Sequence, residues 1–163
     1  TLDIMQRLYE IHKVLTYPRT DSRYISADIV PTLRERLKSV SGAGYAMAGL
    51  IIKSGIRATR RMVDDSKVSD HHAIIPTEEW VDLSALGADE RRIYDLVAKR
   101  FLAALSPDFE YEQTTLYAEI AGESFYARGK IVKARGWKSV YDAIGFIEDP
   151  ISSSKRCPTF RKG

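Results

Sequence analysis

Apolar residues recur at Leu2, Met5, Leu8, Tyr9 and Ile11, the spacing of one helix face, so residues 2 to about 13 are expected to form an amphipathic helix. Pro18 has no amide donor and disfavours helical backbone at the residue before it, which places Tyr17 on an extended segment beyond that helix. The stretch "TDSRYIS" that follows supplies turn and capping residues. Val30, Leu33, Leu37 and Val40 mark a second helix, with its start blurred by Pro31 and its end set by "SGAG". "YAMAGLIIKSG" reads as a third, short helix closed by Gly55, and "RATRRMVDDSKVSD" as an exposed polar loop. "HHAIIPTEEW" is expected to be extended, because Pro76 disfavours helix at Ile75. The strongest helical signal is "DERRIYDLVAKRFLAAL". Acids occupy its first turn, Ile93, Leu96, Val97, Phe101 and Ala104 share one face, and "SP" stops it.

The period then changes from helical to alternating. "YEQTTLYAEIAGESFYARGKIVKARGWKSVY" alternates polar and apolar residues and is punctuated by Gly122, Gly129 and Gly136, which predicts two or three antiparallel strands. "DPISSSKRCPTFRKG" has the composition of a tail with little to bury. Helices first and strands after predict an α+β fold, in two units.

Composition narrows the class further. With 163 residues, 44% hydrophobic and 29% charged, the chain is globular in character, and no apolar run is long enough to span a membrane. It opens on a periodic apolar pattern without Met or a signal-like segment, which suggests an excised piece of a longer protein. A single cysteine, Cys157, excludes an internal disulfide framework and fits a reducing, cytoplasmic setting. The net charge of +3 says less than its distribution. Arg128, Lys130, Lys133, Arg135 and Lys138 form an acid-free basic run, and Arg57, Arg60 and Arg61 form a second group. Such faces either neutralise nucleic-acid phosphates or are simply solvated.

The candidate chemistry lies in "KVLTYPRTDSRYIS". A phenol with a pKa of about 10 is a weak nucleophile at neutral pH and needs help from its surroundings. A guanidinium stabilises the phenolate and also holds a phosphate through paired hydrogen bonds. In an extended segment Tyr17 and Arg19 project to the same side, with Pro18 stiffening the backbone between them, which suits attack on a phosphodiester.

"LTYPRTDSRYIS", followed at Ser69–Thr77 by "SDHHAIIPT", resembles the type IA DNA topoisomerases, and within them the bacterial topoisomerase III branch. "DERRIYDLVAKRFLAAL" and "ARGKIVKARGW" resemble the family's return into its arch domain. The resemblance implies that Tyr17 attacks one DNA strand and becomes joined to its 5′-phosphate. Arg19 would contact the scissile phosphate, and His71 would lie near the cleavage site. It implies a helical catalytic-tyrosine domain at 1–77, a helix and antiparallel strands of a partial arch (gate) domain at 78–150, and a basic linker or tail at 151–163. The partner implied is single-stranded DNA, in a cytoplasmic, nucleoid-associated setting, with Arg57, Arg60, Arg61 and the basic run 128–138 as backbone contacts.

The family's magnesium is bound by acids of an N-terminal Toprim domain carrying Asp-x-Asp, and no Asp-x-Asp occurs here. The resemblance therefore implies a fragment without metal ligands, with Mg²⁺ supplied in the full-length enzyme through a Toprim domain upstream. Alone it is expected to bind DNA weakly and to cleave poorly or not at all. An unpaired strand edge near Tyr117 to Lys133 is an expected liability. Tyrosine recombinases and type IB topoisomerases use a His-x-x-Arg element that is missing here. The remaining alternatives are a non-enzymatic nucleic-acid-binding helical module with a basic hairpin, and a protein-interaction domain whose basic faces only solvate it.

Overall fold

The computed structural model describes residues 1–142 and is α+β. Two compact units follow one another along the chain, Thr1–Ser106 and Pro107–Gly163. The first contains helices α1 (Leu2–Glu10), α2 (Leu33–Gly42), α3 (Ala46–Ser54) and α4 (Ala88–Leu105). The second contains strands β1 (Glu110–Ile120) and β2 (Glu123–Ala134), then a single-turn helix α5 (Ser139–Asp142).

Three helical expectations shift in detail. Helix α1 stops at Glu10 rather than near Lys13 because Lys13 takes a left-handed backbone, φ 55°, which ends the helical run. Of its expected apolar face only Leu8 is fully buried, while Leu2 and Ile11 are exposed and Tyr9 is left for another use. The start of the second helix resolves into a 3₁₀ segment at Ala27–Thr32 that accommodates Pro31, with α2 beginning at Leu33. Gly55 closes α3 with φ 96°, as its position predicted.

Helix α4 departs more from expectation, in both its face and its unit. Tyr94, Ala98, Phe101, Leu102 and Leu105 are buried, whereas Leu96 is 63% exposed and Ala104 is exposed. The buried stripe lies about one residue round from the expected one, because the large Tyr94 ring fills the interior and carries the face with it. The helix also belongs to the first unit, where it packs on α1 and α3, instead of joining the strands beyond residue 77. Its first turn shows how. Glu90, only 6% exposed, accepts the Gly87 amide at 2.9 Å, lies 2.9 Å from Arg7 Nε and 3.3 Å from His12 Nε2, and so clamps α4 to α1.

Of the two or three strands expected, two form among the described residues. Ala121 and Gly122 link them in a two-residue turn with φ 55° and 81°, the left-handed pair that suits the twist of a tight hairpin. Gly129 lies within β2 opposite Thr114. Gly136 begins a 3₁₀ turn at φ 49°, where a Cβ would lie 2.1 Å from the Asp108 carbonyl oxygen, so "GWKSVY" folds back on the base of the hairpin instead of adding a strand. Both outer edges of the hairpin are unpaired among the described residues, as expected near Tyr117 to Lys133. The expected tail at 151–163 lies outside the described residues.

The Gly87 amide bond, reinforced by the charges of Arg7 and His12, holds the Glu90 carboxyl below its usual pKa. A carboxylate depressed on folding stabilises above its ordinary titration range and loses that contribution as pH falls through the folded value. Below about pH 4 the α1–α4 clamp is therefore expected to weaken. Glu90→Gln should lower the melting temperature at pH 7 and flatten the acid limb of a melting-temperature-against-pH curve between pH 7 and 3.

Candidate active site

Residues 13–25 run beside two separate stretches of the first unit. At one end, Ile25 forms a parallel bridge to Val63, which orders the end of the "RATRR" loop and buries Met62 there. At the other end the Thr77 amide donates to the Val14 carbonyl (3.1 Å) and the Thr16 amide to the Ile75 carbonyl (3.0 Å). Between them, residues 17–23 bulge out as a loop whose two ends meet at Ala73. The Thr16 hydroxyl donates to the Ala73 carbonyl (3.2 Å), and the Ala73 amide donates to the Tyr24 carbonyl (2.8 Å).

Hydroxyl side chains hold this loop to the segment behind it. Thr16 Oγ1 also accepts the Ile75 amide at 2.9 Å. The Thr20 hydroxyl donates to the His71 carbonyl at 2.8 Å, and the Ser22 hydroxyl reaches the Lys67 carbonyl at 2.8 Å. Thr20 and Ser22 thus spend their side chains on backbone, the shaping role expected from the turn signal. Asp21 is exposed.

The backing segment is anchored from α2. Arg36 is 6% exposed, donates Nη1 to the Pro76 carbonyl (2.8 Å) and Nε to Thr32 Oγ1 (2.8 Å), and pairs through Nη2 with Glu78 at 3.0 Å. Burial lowers its pKa while Glu78 works in the opposite direction. Ser39 donates to the Glu79 carbonyl one turn further on. Nothing in the local sequence signals Arg36, since its partners lie far along the chain.

Tyr17 emerges from this frame half-buried between two rings. His71 lies on one side, centroid to centroid 4.3 Å with the planes tilted by 44°. Tyr9, from the last turns of α1, meets it edge-on at 5.3 Å and 77°. The spacing of Tyr9 fits the apolar face of α1 and carries no signal of this contact. His72 turns away and sets Nδ1 2.7 Å from the Ala73 carbonyl oxygen, which requires that nitrogen to carry the proton. The two histidines therefore point apart, as an extended segment demands.

Arg19 is exposed on the same loop and has no hydrogen-bond or ion-pair partner among the described residues. A groove of about 600 Å³ opens beside Tyr17, lined by Tyr9, Glu10, Lys13, Thr77, Glu78 and Glu79 among others. Its rim carries more carboxylate than cation. Arg57, Arg60 and Arg61 are exposed in the loop that leads to Met62.

The basic run of the second unit is divided by strand parity. Register places Arg128 opposite Thr115 and Lys130 opposite Gln113, on one face, while Lys133 lies on the other and pairs with Glu112 at 2.8 Å. Arg135 and Lys138 lie past the end of β2, with Lys138 Nζ 4.2 Å from the Phe109 ring centroid. Among the described residues no group of three or more His, Cys, Asp or Glu is placed to hold a metal ion.

Backbone pairing, a half-exposed phenol between two rings and a free guanidinium on one loop form a frame suited to nucleophilic chemistry, and its sequence has known counterparts. Residues 1–163 match the DNA topoisomerase family along their whole length, and the chain belongs to that family. It is 62% identical over 167 residues to DNA topoisomerase 3 of Bacillus cereus strain ZK / E33L, 58% over 165 residues to DNA topoisomerase 3 of Bacillus subtilis strain 168, and 53% over 164 residues to DNA topoisomerase 3 of Bacillus licheniformis. Each alignment covers all of this chain and 23% of the relative, so the chain spans about a quarter of the length of the proteins it resembles.

Thr16→Val keeps the shape of the side chain and removes both of its hydrogen bonds at the base of the loop. It is expected to cost about 1–2 kcal/mol in urea unfolding, because the Ile75 amide loses its acceptor. Trypsin cleavage after Arg19 and Arg23 should accelerate in the same variant; unchanged cleavage would mean that Ala73 does not pin the loop.

Proposed function

We propose that the intact protein carrying this chain is a type IA DNA topoisomerase of the topoisomerase III branch, with Tyr17 as its nucleophile. The Tyr17 oxygen forms a bond to phosphorus as the bond from phosphorus to the 3′-oxygen breaks. The phenol gives up its proton and the departing 3′-oxygen takes one, leaving the 5′-phosphate esterified to tyrosine. After a strand passes through the gap, the 3′-hydroxyl reverses the exchange. The bond formed is nearly equal in energy to the bond broken, so no ATP is needed, and strain or linkage in the DNA gives direction.

The observation that carries this reading is the half-exposed Tyr17, held between the His71 and Tyr9 rings on a loop pinned at Ala73. A ring restrained on both sides has fewer directions in which to aim its oxygen, which lowers the entropic cost of in-line attack. Arg19 then has a definite task. The groove beside Tyr17 is lined by Glu10, Glu78 and Glu79 as well as Lys13, and of the two exposed arginines of the loop, Arg19 and Arg23, it is Arg19, two residues from the nucleophile, that meets the charge developing on phosphorus. His71, against the Tyr17 ring, is placed to act on the same phosphate. Arg57, Arg60 and Arg61 supply backbone contacts to single-stranded DNA. The acids that hold magnesium in this family belong, in this reading, to parts of the protein outside this chain.

In the intact enzyme with Mg²⁺, denaturant should trap DNA covalently joined to protein, and Tyr17→Phe should abolish the adduct while leaving DNA affinity little changed. Arg19→Ala should slow adduct formation about a hundredfold or more, the usual loss when one preorganised charge is removed. An adduct that survives Tyr17→Phe contradicts the assignment.

A further inference from the structure

The hairpin has two chemically different faces. Alternation along the paired strands puts Tyr111, Gln113, Thr115 and Tyr117 on one face, opposite Val132, Lys130, Arg128 and Tyr126 respectively. The other face carries Leu116, Ala118, Phe125, Ala127 and Ile131, with the Glu112–Lys133 pair at its end. The second is an ordinary apolar surface for packing on protein. The first has no acid between Tyr111 and Tyr117 or between Tyr126 and Val132; Glu119 lies beyond it, toward the turn.

Its tyrosines are unusually open for so large a ring. Tyr117 is 76% and Tyr126 71% exposed, and they are direct cross-strand partners. Neither Arg128 nor Lys130 forms an ion pair among the described residues. Instead, the Arg128 guanidinium lies 5.5 Å from the Tyr126 ring centroid, and Lys130 Nζ lies 3.9 Å from that of Tyr111. Six residues of strand separate Tyr111 from Tyr117, about 20 Å, with the two cations spaced between. Cations flanked by rings offer an unstacked strand both kinds of contact, charge for its phosphates and aromatic faces for its bases. A duplex keeps its bases stacked inside and offers no such faces to the rings.

We propose that this face binds single-stranded DNA, with bases stacking on the Tyr117–Tyr126 pair at one end and on Tyr111 at the other, and with Arg128 and Lys130 neutralising the phosphates between. The proposal rests on the reading of the chain as part of a DNA-handling enzyme and adds base stacking to the backbone contacts assigned to its basic residues. Lys133, on the opposite face and paired with Glu112, has no part in it.

The test uses the 163-residue chain at low salt and the fluorescence anisotropy of a labelled oligothymidylate, with a duplex of the same length alongside. The single strand should bind more tightly. Tyr117→Ser with Tyr126→Ser should weaken single-strand binding about tenfold or more and leave the slope of log affinity against log salt unchanged. Tyr117→Phe with Tyr126→Phe keeps the rings and should restore affinity, which separates stacking from damage to the hairpin. Arg128→Gln with Lys130→Gln should flatten the salt slope by about 1.4, or about 0.7 for each phosphate contact on a single strand. Absence of single-strand binding, equal affinity for duplex, or a phenylalanine pair as weak as the serine pair would overturn the proposal. None of these outcomes bears on whether Tyr17 forms the covalent link, which the adduct experiment decides by itself.

Discussion

Both ends of the loop that presents Tyr17 are tied to the main chain of Ala73, its carbonyl to Thr16 and its amide to Tyr24. Closing a loop costs chain entropy, and here two hydrogen bonds to a single residue, with Thr20 and Ser22 bonding further along, offset that cost. Much of the first unit serves to keep Ala73 and its neighbours in place. Arg36 and Ser39 of α2 hold the carbonyls of Pro76 and Glu79, and Glu90 keeps α4 against α1, from which Tyr9 reaches the Tyr17 ring.

The backing segment is held largely by side chains bonded to main-chain groups, the hydroxyls of Thr16, Thr20, Ser39 and Thr77 and the guanidinium of Arg36. Carboxylates along the adjacent groove make that side inhospitable to phosphate, and Arg19 stands exposed without a partner. The hairpin is likewise divided, with an apolar face and a face of tyrosines, Arg128 and Lys130.

Much of this was legible in the sequence, for physical reasons that can be named. Pro18 dictates that Tyr17 lies outside a helix, Gly55 ends α3 through its positive φ, and the change of period at residue 110 marks the strands. Lys133 sits at the register shift between Glu110 and Tyr111, so its separation from Arg128 and Lys130 shows only in its pairing with Glu112. The roles of Tyr9, Arg36 and Glu90 were not available, because Tyr9 fits the apolar face of α1 equally well and Arg36 and Glu90 also act on residues far along the chain, Pro76 and Arg7. The face of α4 was misjudged because a strong periodic signal fixes a stripe only to within about one residue, and the bulk of Tyr94 decides which neighbour turns inward. The choice between two strands and three was decided at Gly136, whose left-handed turn is compulsory once the Asp108 carbonyl lies where a Cβ would be.

The account stands or falls on whether the Tyr17 ring is held against His71 in solution as it is in the structure, at 4.3 Å between centroids. Nuclear Overhauser spectroscopy of the chain, with tyrosine and histidine rings selectively labelled, measures that contact directly. Strong cross-peaks between His71 and Tyr17 ring protons, together with weaker ones from Tyr9, are the predicted result. Their absence in a folded chain whose Ile75 and Ala73 amides remain protected from exchange would show that the frame forms without aiming the phenol, and would contradict the central claim.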